Sequence, residues 1–164
     1  MAYSSELCLL AGTGCLLWKD VLKNMLKEYS AGAVLFGNFA NNERKFLLLH
    51  YTSGHWDFPK GNVEAGETET ETVNREIFEE TGITDIRFVD GFVQPTFYKY
   101  KRGGSLVHKK VSFYLAQTAT SSIKLSNEHQ DFLWAEYFSA LTTLTYRSAR
   151  DILVSADKFI KDTQ

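Results

Sequence analysis

The sequence predicts an α/β or α+β sandwich in which helices cover a mixed β-sheet. From residue 29 onward, apolar runs of strand length alternate with polar turns, and two longer segments have helical periodicity. A chain of 164 residues is long enough for one domain with its own core. Its content of 44% hydrophobic and 23% charged residues is that of an ordinary globular protein.

The first 28 residues are predicted to be an N-terminal extension that precedes the domain, residues 29–164. Both cysteines, Cys8 and Cys15, lie in the extension, and because neither belongs to a CxxC pair we expect free thiols in a reducing compartment. The segment VLKNMLKEY predicts one or two helical turns, and Met25 within it is a candidate alternative start. The apolar segment 7–18 is too short to span a membrane and no basic residue precedes it, so a cytoplasmic location is expected.

The domain begins with two predicted strands and a loop. AGAVLF and FLLLHY are apolar runs of strand length, and the polar FGNFANNERK between them predicts a turn. SGHWDFPKG follows as a loop in which Pro59 and Gly61 interrupt regular structure.

The next segment, Glu69 to Thr81, is predicted to be a helix. Val73 and Ile77 lie four residues apart and form its buried stripe. Gly82 stands where a left-handed residue commonly ends a helix.

The rest of the chain predicts three further strands or hairpins and a closing helix. IRFVDGFVQ reads as a strand, FYKYKRGGSLVHKKVSFYLAQ as a hairpin that turns near Gly103 and Gly104, and DFLWAEYF as another strand. Residues 145–161 predict an amphipathic helix. The apolar side chains along one face of this last helix are Ala149, Ile152, Leu153, Ala156 and Ile160.

Three glutamates project from one face of the first predicted helix. Glu76, Glu79 and Glu80 stand at i, i+3 and i+4, and like charges at this spacing destabilise a helix unless a cation neutralises them. Mg²⁺ suits such a cluster, since it takes oxygen ligands and bridges to phosphates. Arg75 lies four residues before Glu79 and is placed to pair with or orient it, and Glu67 lies just before the helix, within reach of the same face. A solvated acidic face is the alternative interpretation.

The spacing G-x5-E-x7-R-E-I-x-E-E-x-G-I resembles the signature of the Nudix hydrolases at every fixed position. The matching residues are Gly61, Glu67, Arg75, Glu76, Ile77, Glu79, Glu80, Gly82 and Ile83. The resemblance implies the Nudix fold, an α/β/α sandwich with a mixed β-sheet and a C-terminal helix, and hydrolysis of a nucleoside diphosphate linked to another moiety with Mg²⁺ or Mn²⁺. It also implies that Glu76, Glu79, Glu80 and the Gly61 carbonyl bind the metal, and that Arg75 and Glu67 orient the carboxylates.

Three further segments resemble the asymmetrical diadenosine tetraphosphate hydrolases within that family. They are FLLLHYTSGHWDFPKGNVEAGE, GFVQPTFYKY and KLSNEHQDFLW, and the resemblance runs from about residue 30 to residue 140. The family pattern usually reads KGHVEPGE, whereas this chain has KGNVEAGE, so Asn62 and Ala65 depart from it. The resemblance implies cleavage of a dinucleoside tetraphosphate into a nucleoside triphosphate and a monophosphate.

That resemblance also implies roles for four residues outside the signature. Tyr98 and Lys109 match phosphate-binding residues, with Lys110 as an alternative to Lys109. Glu128 matches an acidic loop residue that reaches the metals as a ligand or general base; an exposed loop glutamate is its other interpretation. Phe132 matches a ring that stacks an adenine, with core packing as the alternative.

Two residues at the predicted mouth of the metal site are expected to meet the substrate. Lys60 would contact a phosphate as a point charge, and His55 would line the same opening. Trp56 and Pro59 in the same loop are interpreted as packing residues. The general base is left open among Glu76, Glu79 and Glu128.

The charge balance favours a small-molecule substrate over a nucleic acid. Lys and Arg number 18 against 20 Asp and Glu, and a long nucleic acid would favour a basic stripe. We therefore expect a monomer that binds a dinucleoside polyphosphate and neither a membrane nor nucleic acid. The alternatives are a Nudix enzyme for ADP-ribose, RNA 5′ ends or a diphosphoinositol polyphosphate, and a Nudix ligand-sensing module without catalysis.

Overall fold

The computed structural model describes residues 25–163, in which one mixed sheet lies between helices. The chain order is β1 (Met25–Asn38), a 3-10 turn (Ala40–Asn42), β2 (Arg44–Tyr51), β3 (Trp56–Asp57), β4 (Lys60–Asn62), α1 (Glu69–Thr81), β5 (Arg87–Arg102), β6 (Ser105–Gln117), β7 (His129–Ala135), α2 (Tyr137–Thr143) and α3 (Arg147–Thr163). The strand order is β3-β2-β1-β6-β5, while β4 pairs with β1 and β7 with β2. The β1–β6 pair is parallel and the other pairs are antiparallel, so the predicted mixed sheet is confirmed.

Two apolar cores lie on opposite faces of the central strand β1. Ala33 and Leu35 face α1, whereas Val34 and Phe36 face the C-terminal helices, because successive side chains of a strand point to opposite faces. This explains why the run AGAVLF is apolar throughout rather than alternating. The α/β/α sandwich predicted from the sequence is confirmed.

Helix α1 has the predicted bounds because both of its ends are fixed locally. Thr68 accepts a hydrogen bond from the Glu71 N–H at 3.2 Å, and the Glu71 carboxylate accepts one from the Thr68 N–H at 2.8 Å. This capping box satisfies two donors at the helix N-terminus. At the other end, Gly82 adopts φ 74°, a left-handed conformation that a glycine takes without steric cost.

Strand β1 begins earlier than the sequence indicated. Met25 pairs with Leu106 and the ladder continues along β6, so residues 25–29 are strand and their prediction as helical turns was wrong. The rest of that segment, and the cysteines, lie outside the described residues. The β1 ladder therefore includes residues that the sequence had assigned to the extension.

Strand β5 is one long strand where the sequence predicted two. The predicted strand IRFVDGFVQ and the first strand of the predicted hairpin are continuous through Pro95, because β5 pairs only with β6 and is an edge of the sheet, where the missing N–H of a proline costs no ladder bond. Gly91, at φ 87°, lies in the register shift between Phe88 and Val93.

The segment DFLWAEYF was predicted as one strand and is divided in the structure. Strand β7 ends at Ala135, and α2 begins at Tyr137. The predicted closing helix is confirmed as α3, whose described bounds lie two residues further along the chain at each end. Within residues 25–163, none of the helices has the length and hydropathy that crossing a bilayer requires.

Candidate active site

A cavity of about 790 Å³ opens where α1, the loop after β2, strand β6 and the start of α3 meet. Most of the predicted site residues line it, although they come from segments far apart in the chain. Those that line it are His55, Lys60, Gly61, Glu76, Glu79, Glu80, Tyr98, Lys109 and Glu128. Arg75 and Glu67 lie behind the carboxylates.

Arg75 ties the carboxylates of α1 together from behind. Its Nη1 donates to Glu76 at 2.7 Å and to Glu79 at 3.1 Å, while its Nε donates to Glu67 at 2.7 Å. Its Nη2 donates to the Asn62 carbonyl at 2.9 Å. The bond from Arg75 lowers the pKa of Glu67 from 4.5 to about 2. Arg75 thus contacts Glu76 and Glu79 at once, and its role in orienting them for a metal stays a prediction.

Glu80 is the most deeply buried member of the cluster, with 4% of its surface exposed. Burial raises its pKa to about 8, although the Lys60 N–H donates to its carboxylate at 3.1 Å. Burial also raises the pKa of Glu76. Two buried carboxyls side by side stay ionised only when a cation compensates the charge.

β4 passes close to the cluster at Gly61. A Cβ at this position would lie 1.8 Å from the carboxylate carbon of Glu76, so a larger residue would displace that side chain from its present position. The backbone of residue 61 therefore lies beside the Glu76 carboxylate, and its role as a metal ligand stays a prediction.

The oxygen-rich cluster suits a hard divalent cation by its donor chemistry. Glu76, Glu79, Glu80 and a backbone carbonyl are the ligand types that Mg²⁺ and Mn²⁺ prefer. Within residues 25–163, however, no three His, Cys, Asp or Glu side chains stand in a geometry ready to hold a metal. The Arg75 guanidinium lies between Glu76 and Glu79, so these two carboxylates already share a cation.

Next to Glu80, the Lys60 side chain is held by an aromatic ring and an acid. Its ammonium lies 3.9 Å from the centroid of the Tyr51 ring and 3.2 Å from Asp57. The Tyr51 hydroxyl donates to the Phe58 carbonyl at 3.0 Å, which fixes the ring. Tyr51 and Asp57 were not predicted as site residues, since each looked like an ordinary residue of a strand or loop.

His55 lines the cavity and stacks on the ring of Tyr51. Its ring is parallel to that of Tyr51, with centroids 4.6 Å apart, and its Nδ1 is 2.8 Å from the Ser53 hydroxyl. Burial lowers its pKa, which favours the neutral imidazole. A neutral ring stacked in this way offers a flat face and one free nitrogen.

Lys109 and Tyr98 are neighbours across the β5–β6 ladder. Tyr98 pairs with Lys109 in register, and both line the cavity. Burial lowers the pKa of Lys109 and raises that of Tyr98 to about 12. Lys110 points to the opposite face, where its ammonium lies 3.0 Å from Glu69, so Lys109 is the lysine on the cavity side.

Of two aromatic residues, Phe132 takes the core-packing alternative and Tyr146, which was not predicted, lines the cavity. Phe132 pairs with Leu49 and packs against the core beneath α1, outside the residues that line the cavity. Its predicted stacking role therefore gains no support from the cavity. Tyr146, half-exposed beside the start of α3, does line the cavity, and its ring centroid is 5.3 Å from that of His55.

The loop that carries Glu128 is tied to α1 and β2. The Ser126 N–H donates to the Glu80 carbonyl at 3.1 Å, and the Thr52 N–H donates to the Glu128 carbonyl at 3.2 Å. His129 is buried rather than solvated: its Nδ1 is 3.0 Å from the Ser126 hydroxyl, and its Nε2 is 3.4 Å from the Glu80 carboxylate. These contacts fix the backbone on either side of Glu128, whose exposed side chain lines the cavity.

Comparisons with known proteins agree with this arrangement. The model of the NUDIX domain matches residues 28–153. The bis(5′-nucleosyl)-tetraphosphatase (asymmetrical) of Mus musculus is 32% identical over 129 residues, which are 75% of this chain and 85% of that protein. The enzyme of the same name from Caenorhabditis elegans is 31% identical over 136 residues, 80% of this chain and 95% of that protein.

A solved structure shows the same likeness in three dimensions. The crystal structure of a C. elegans Ap4A hydrolase binary complex superposes with a TM-score of 0.73 at 29% sequence identity. The match covers 82% of this chain and 98% of that one. The compared chains thus agree in the sheet and helices that build the cavity.

Proposed function

The chain belongs to the NUDIX domain family, and from that premise we propose that it hydrolyses dinucleoside polyphosphates, cutting diadenosine tetraphosphate into ATP and AMP. The observation that carries this proposal is the composition of the cavity walls. Four carboxylates, Glu76, Glu79, Glu80 and Glu128, line the same cavity as Lys60 and Lys109 and the rings of Tyr98 and Tyr146. The names of the mouse and C. elegans relatives support the same substrate class.

Substrate recognition is assigned to the basic and aromatic part of the cavity. A tetraphosphate carries about four negative charges, and Lys60 and Lys109 are buried enough to interact strongly with them. Tyr98 would donate its hydroxyl to a phosphate oxygen, since its raised pKa keeps it protonated. A cavity of this size falls within the usual range of small-molecule sites.

The base of one nucleoside is assigned to the face of Tyr146. Its ring stands beside His55, tilted by 51° with centroids 5.3 Å apart, and half of its surface is exposed, so an adenine could stack on its open face. Stacking of this kind contributes roughly 1–3 kcal/mol per base in proteins that bind nucleic acids. Phe132 is not included in this assignment.

The carboxylate cluster is assigned to cleavage. A bound Mg²⁺ or Mn²⁺ at Glu76, Glu79, Glu80 and the Gly61 carbonyl would neutralise phosphate charge and acidify a water molecule. Arg75 and Glu67 hold Glu76 and Glu79 in place. The carboxylates stay fixed while the phosphate charge changes, and such pre-organisation is the main source of phosphoryl-transfer catalysis.

Glu128 is assigned as the general base. Glu76 and Glu79 already accept hydrogen bonds from Arg75, whereas the Glu128 side chain is exposed at the cavity. It would take a proton from the attacking water as the water oxygen bonds to phosphorus. The bridging P–O bond then breaks, and the electrons of that bond leave with the departing nucleotide.

Several further properties complete the proposal. We expect Mg²⁺ as the working metal and a cytoplasmic monomer that needs neither nucleic acid nor a membrane. The near balance of 18 basic and 20 acidic residues supports a small-molecule substrate. Light scattering coupled to gel filtration would test the monomer, because a dimer would elute at twice the mass of 18.7 kDa.

A substrate panel with Mg²⁺ tests the proposed activity. Diadenosine tetraphosphate, ADP-ribose, a 5′-triphosphorylated RNA and a diphosphoinositol polyphosphate are compared at equal concentration, with products separated by anion exchange. We expect the highest kcat/KM for diadenosine tetraphosphate, with ATP and AMP in equal amounts. A clear preference for any other member of the panel would overturn the substrate assignment, and no turnover of any member would favour a sensing module.

A further inference from the structure

Asn62 connects the carboxylate cluster to the lysine on the far wall of the cavity. It is the last residue of β4, next to Gly61. Its backbone carbonyl accepts from Arg75 at 2.9 Å, and its side-chain oxygen Oδ1 accepts from the Ser30 hydroxyl and the Lys109 ammonium, both at 2.9 Å. One residue thus contacts both groups of the proposed site.

The orientation of the Asn62 amide follows from its partners. A lysine ammonium can only donate, so the amide atom that faces Lys109 must be the oxygen. A carbonyl oxygen has two lone pairs, and here the two donors, Ser30 and Lys109, use both.

The acceptor is held rigidly because its other partner lies in the central strand. Ser30 is 2% exposed and pairs with Asn62 in the β1–β4 ladder. Its hydroxyl therefore keeps the amide of Asn62 at one position relative to the sheet. A side chain that is held in this way can fix whatever it binds.

An acid, Glu28, also restrains Lys109. The Glu28 carboxylate lies 3.7 Å from the Lys109 ammonium and itself accepts from the Tyr100 hydroxyl at 2.6 Å. Arg102 also pairs with Glu28. Asn62 accepts one ammonium hydrogen and Glu28 pairs with the charge, so the ammonium keeps donor capacity for an anion in the cavity.

We infer that Asn62 is a positioning residue that fixes the Lys109 ammonium for a phosphate group of the substrate. This inference rests on the proposed function in so far as the anion is a nucleotide polyphosphate. It also gives a meaning to one departure from the KGHVEPGE pattern. A neutral histidine has a single acceptor nitrogen with one lone pair, so it would not accept from Ser30 and Lys109 together as the amide oxygen does.

A double-mutant cycle tests the inference, using Asn62→Ala, Lys109→Ala and the combined variant. Binding of inorganic tripolyphosphate is measured by calorimetry without metal, and KM and kcat are measured with the preferred substrate of the panel. Removal of an uncharged partner from a charged group typically costs enough for about a tenfold change. We expect Asn62→Ala to weaken tripolyphosphate binding and raise KM about tenfold, with kcat within twofold of wild type.

The combined variant gives the decisive comparison. If Asn62 acts through Lys109, then Asn62→Ala has no further effect when Lys109 is already alanine. Equal effects of Asn62→Ala in both backgrounds would overturn the inference. So would an unchanged affinity for tripolyphosphate in Asn62→Ala.

Two controls separate this role from a purely structural one and from the proposed function. Asn62→Ser, which is smaller but polar, is tested beside Asn62→Ala, and urea unfolding of each variant shows whether the fold is intact. If the single and combined variants show no coupling in unfolding or in binding, the inference fails. If the coupling is present but diadenosine tetraphosphate is not hydrolysed, only the proposed substrate fails, since the tripolyphosphate readout needs no turnover.

Discussion

The two sides of the cavity are built in different ways. Three of the four carboxylates, Glu76, Glu79 and Glu80, come from one continuous stretch, residues 61–83, in which a capped helix places them and Arg75 contacts two of them. The other side is assembled from β2, its following loop, the β5–β6 hairpin and the start of α3, and the loop before β7 adds Glu128. The difference teaches that the three helix carboxylates follow from a local sequence pattern, whereas Glu128 and the residues proposed to bind substrate are brought to the cavity by the tertiary fold.

The largest expected effect is on kcat and tests the carboxylates that α1 provides. Glu80→Gln keeps the size of the side chain but removes the charge that a metal would need. We expect kcat to fall on the order of 10³-fold, because charge stabilisation by the metal would be lost. Steady-state kinetics with Mg²⁺ measures this.

A matched acid away from the cavity gives the control for that substitution. Glu43→Gln, at an exposed position after the 3-10 turn, is expected to leave kcat unchanged. Turnover of Glu80→Gln close to that of wild type would remove Glu80 from the catalytic cluster.

The next largest effect is on KM and tests the part of the cavity that is assembled from distant segments. Tyr146→Ala removes the proposed stacking face, and we expect KM for diadenosine tetraphosphate to rise roughly 5- to 150-fold, with a small change in kcat. Tyr146→Phe keeps the ring and should retain most of the affinity. Initial-rate kinetics over a range of substrate concentration distinguishes the two parameters.

Two other aromatic residues sharpen this test. Phe138→Ala changes a ring that is 79% exposed and belongs to α2, so KM should stay at the wild-type value. Phe132→Leu should lower the melting temperature, because Phe132 packs against the core beneath α1. A rise in KM for Phe132→Leu with an intact fold would favour the stacking alternative for Phe132 and weaken the assignment of Tyr146.

A smaller effect, on the free energy of unfolding, tests how the C-terminal end of α1 is fixed. Gly82→Ala places a Cβ at φ 74° and 3.1 Å from the Cβ of Lys124, so we expect a loss of about 1–2 kcal/mol in the free energy of unfolding. Urea denaturation measures it. Asn74→Ala on the exposed face of the same helix should stay within about 0.5 kcal/mol of wild type, and an equal loss in both variants would contradict a special role for the cap.

The smallest expected effect is on how the folding stability depends on pH. The pKa of Glu67 is lowered to about 2 by Arg75, so the stability from this pair is present above the unfolded pKa near 4.5 and is lost as the pH falls toward 2. We expect the stability difference between wild type and Glu67→Gln to shrink over that interval. A difference that stays constant from pH 5 to pH 2.5 in urea titrations would contradict the pairing.

The success of the sequence predictions follows the same division. Helix α1 was predicted with its bounds because Thr68, Glu71 and Gly82 fix its ends through bonds within a few residues. The sequence analysis divided β5 into two strands on either side of Pro95. The strand is continuous because it lies at the edge of the sheet, where a proline is tolerated, and the edge position is set by the whole sheet and not by the local sequence.

The aromatic contacts of the site were the hardest part to predict. Phe132 and Tyr146 are both rings in the C-terminal third, and only the pairing of β7 with β2 shows that Phe132 turns toward the core. Tyr51 and Asp57 were missed for the same reason, since their link to Lys60 requires the loop after β2 to fold back over the site.

Product analysis in water enriched in ¹⁸O tests the central claim most directly. Diadenosine tetraphosphate is hydrolysed with Mg²⁺, and both products are examined by mass spectrometry. We predict ATP and AMP in equal amounts, one ¹⁸O per turnover in one of the two products, and no reaction when the metal is chelated. Formation of ADP, or unlabelled products, would contradict attack by water at an asymmetric position of a phosphate chain held between the two sides of this cavity.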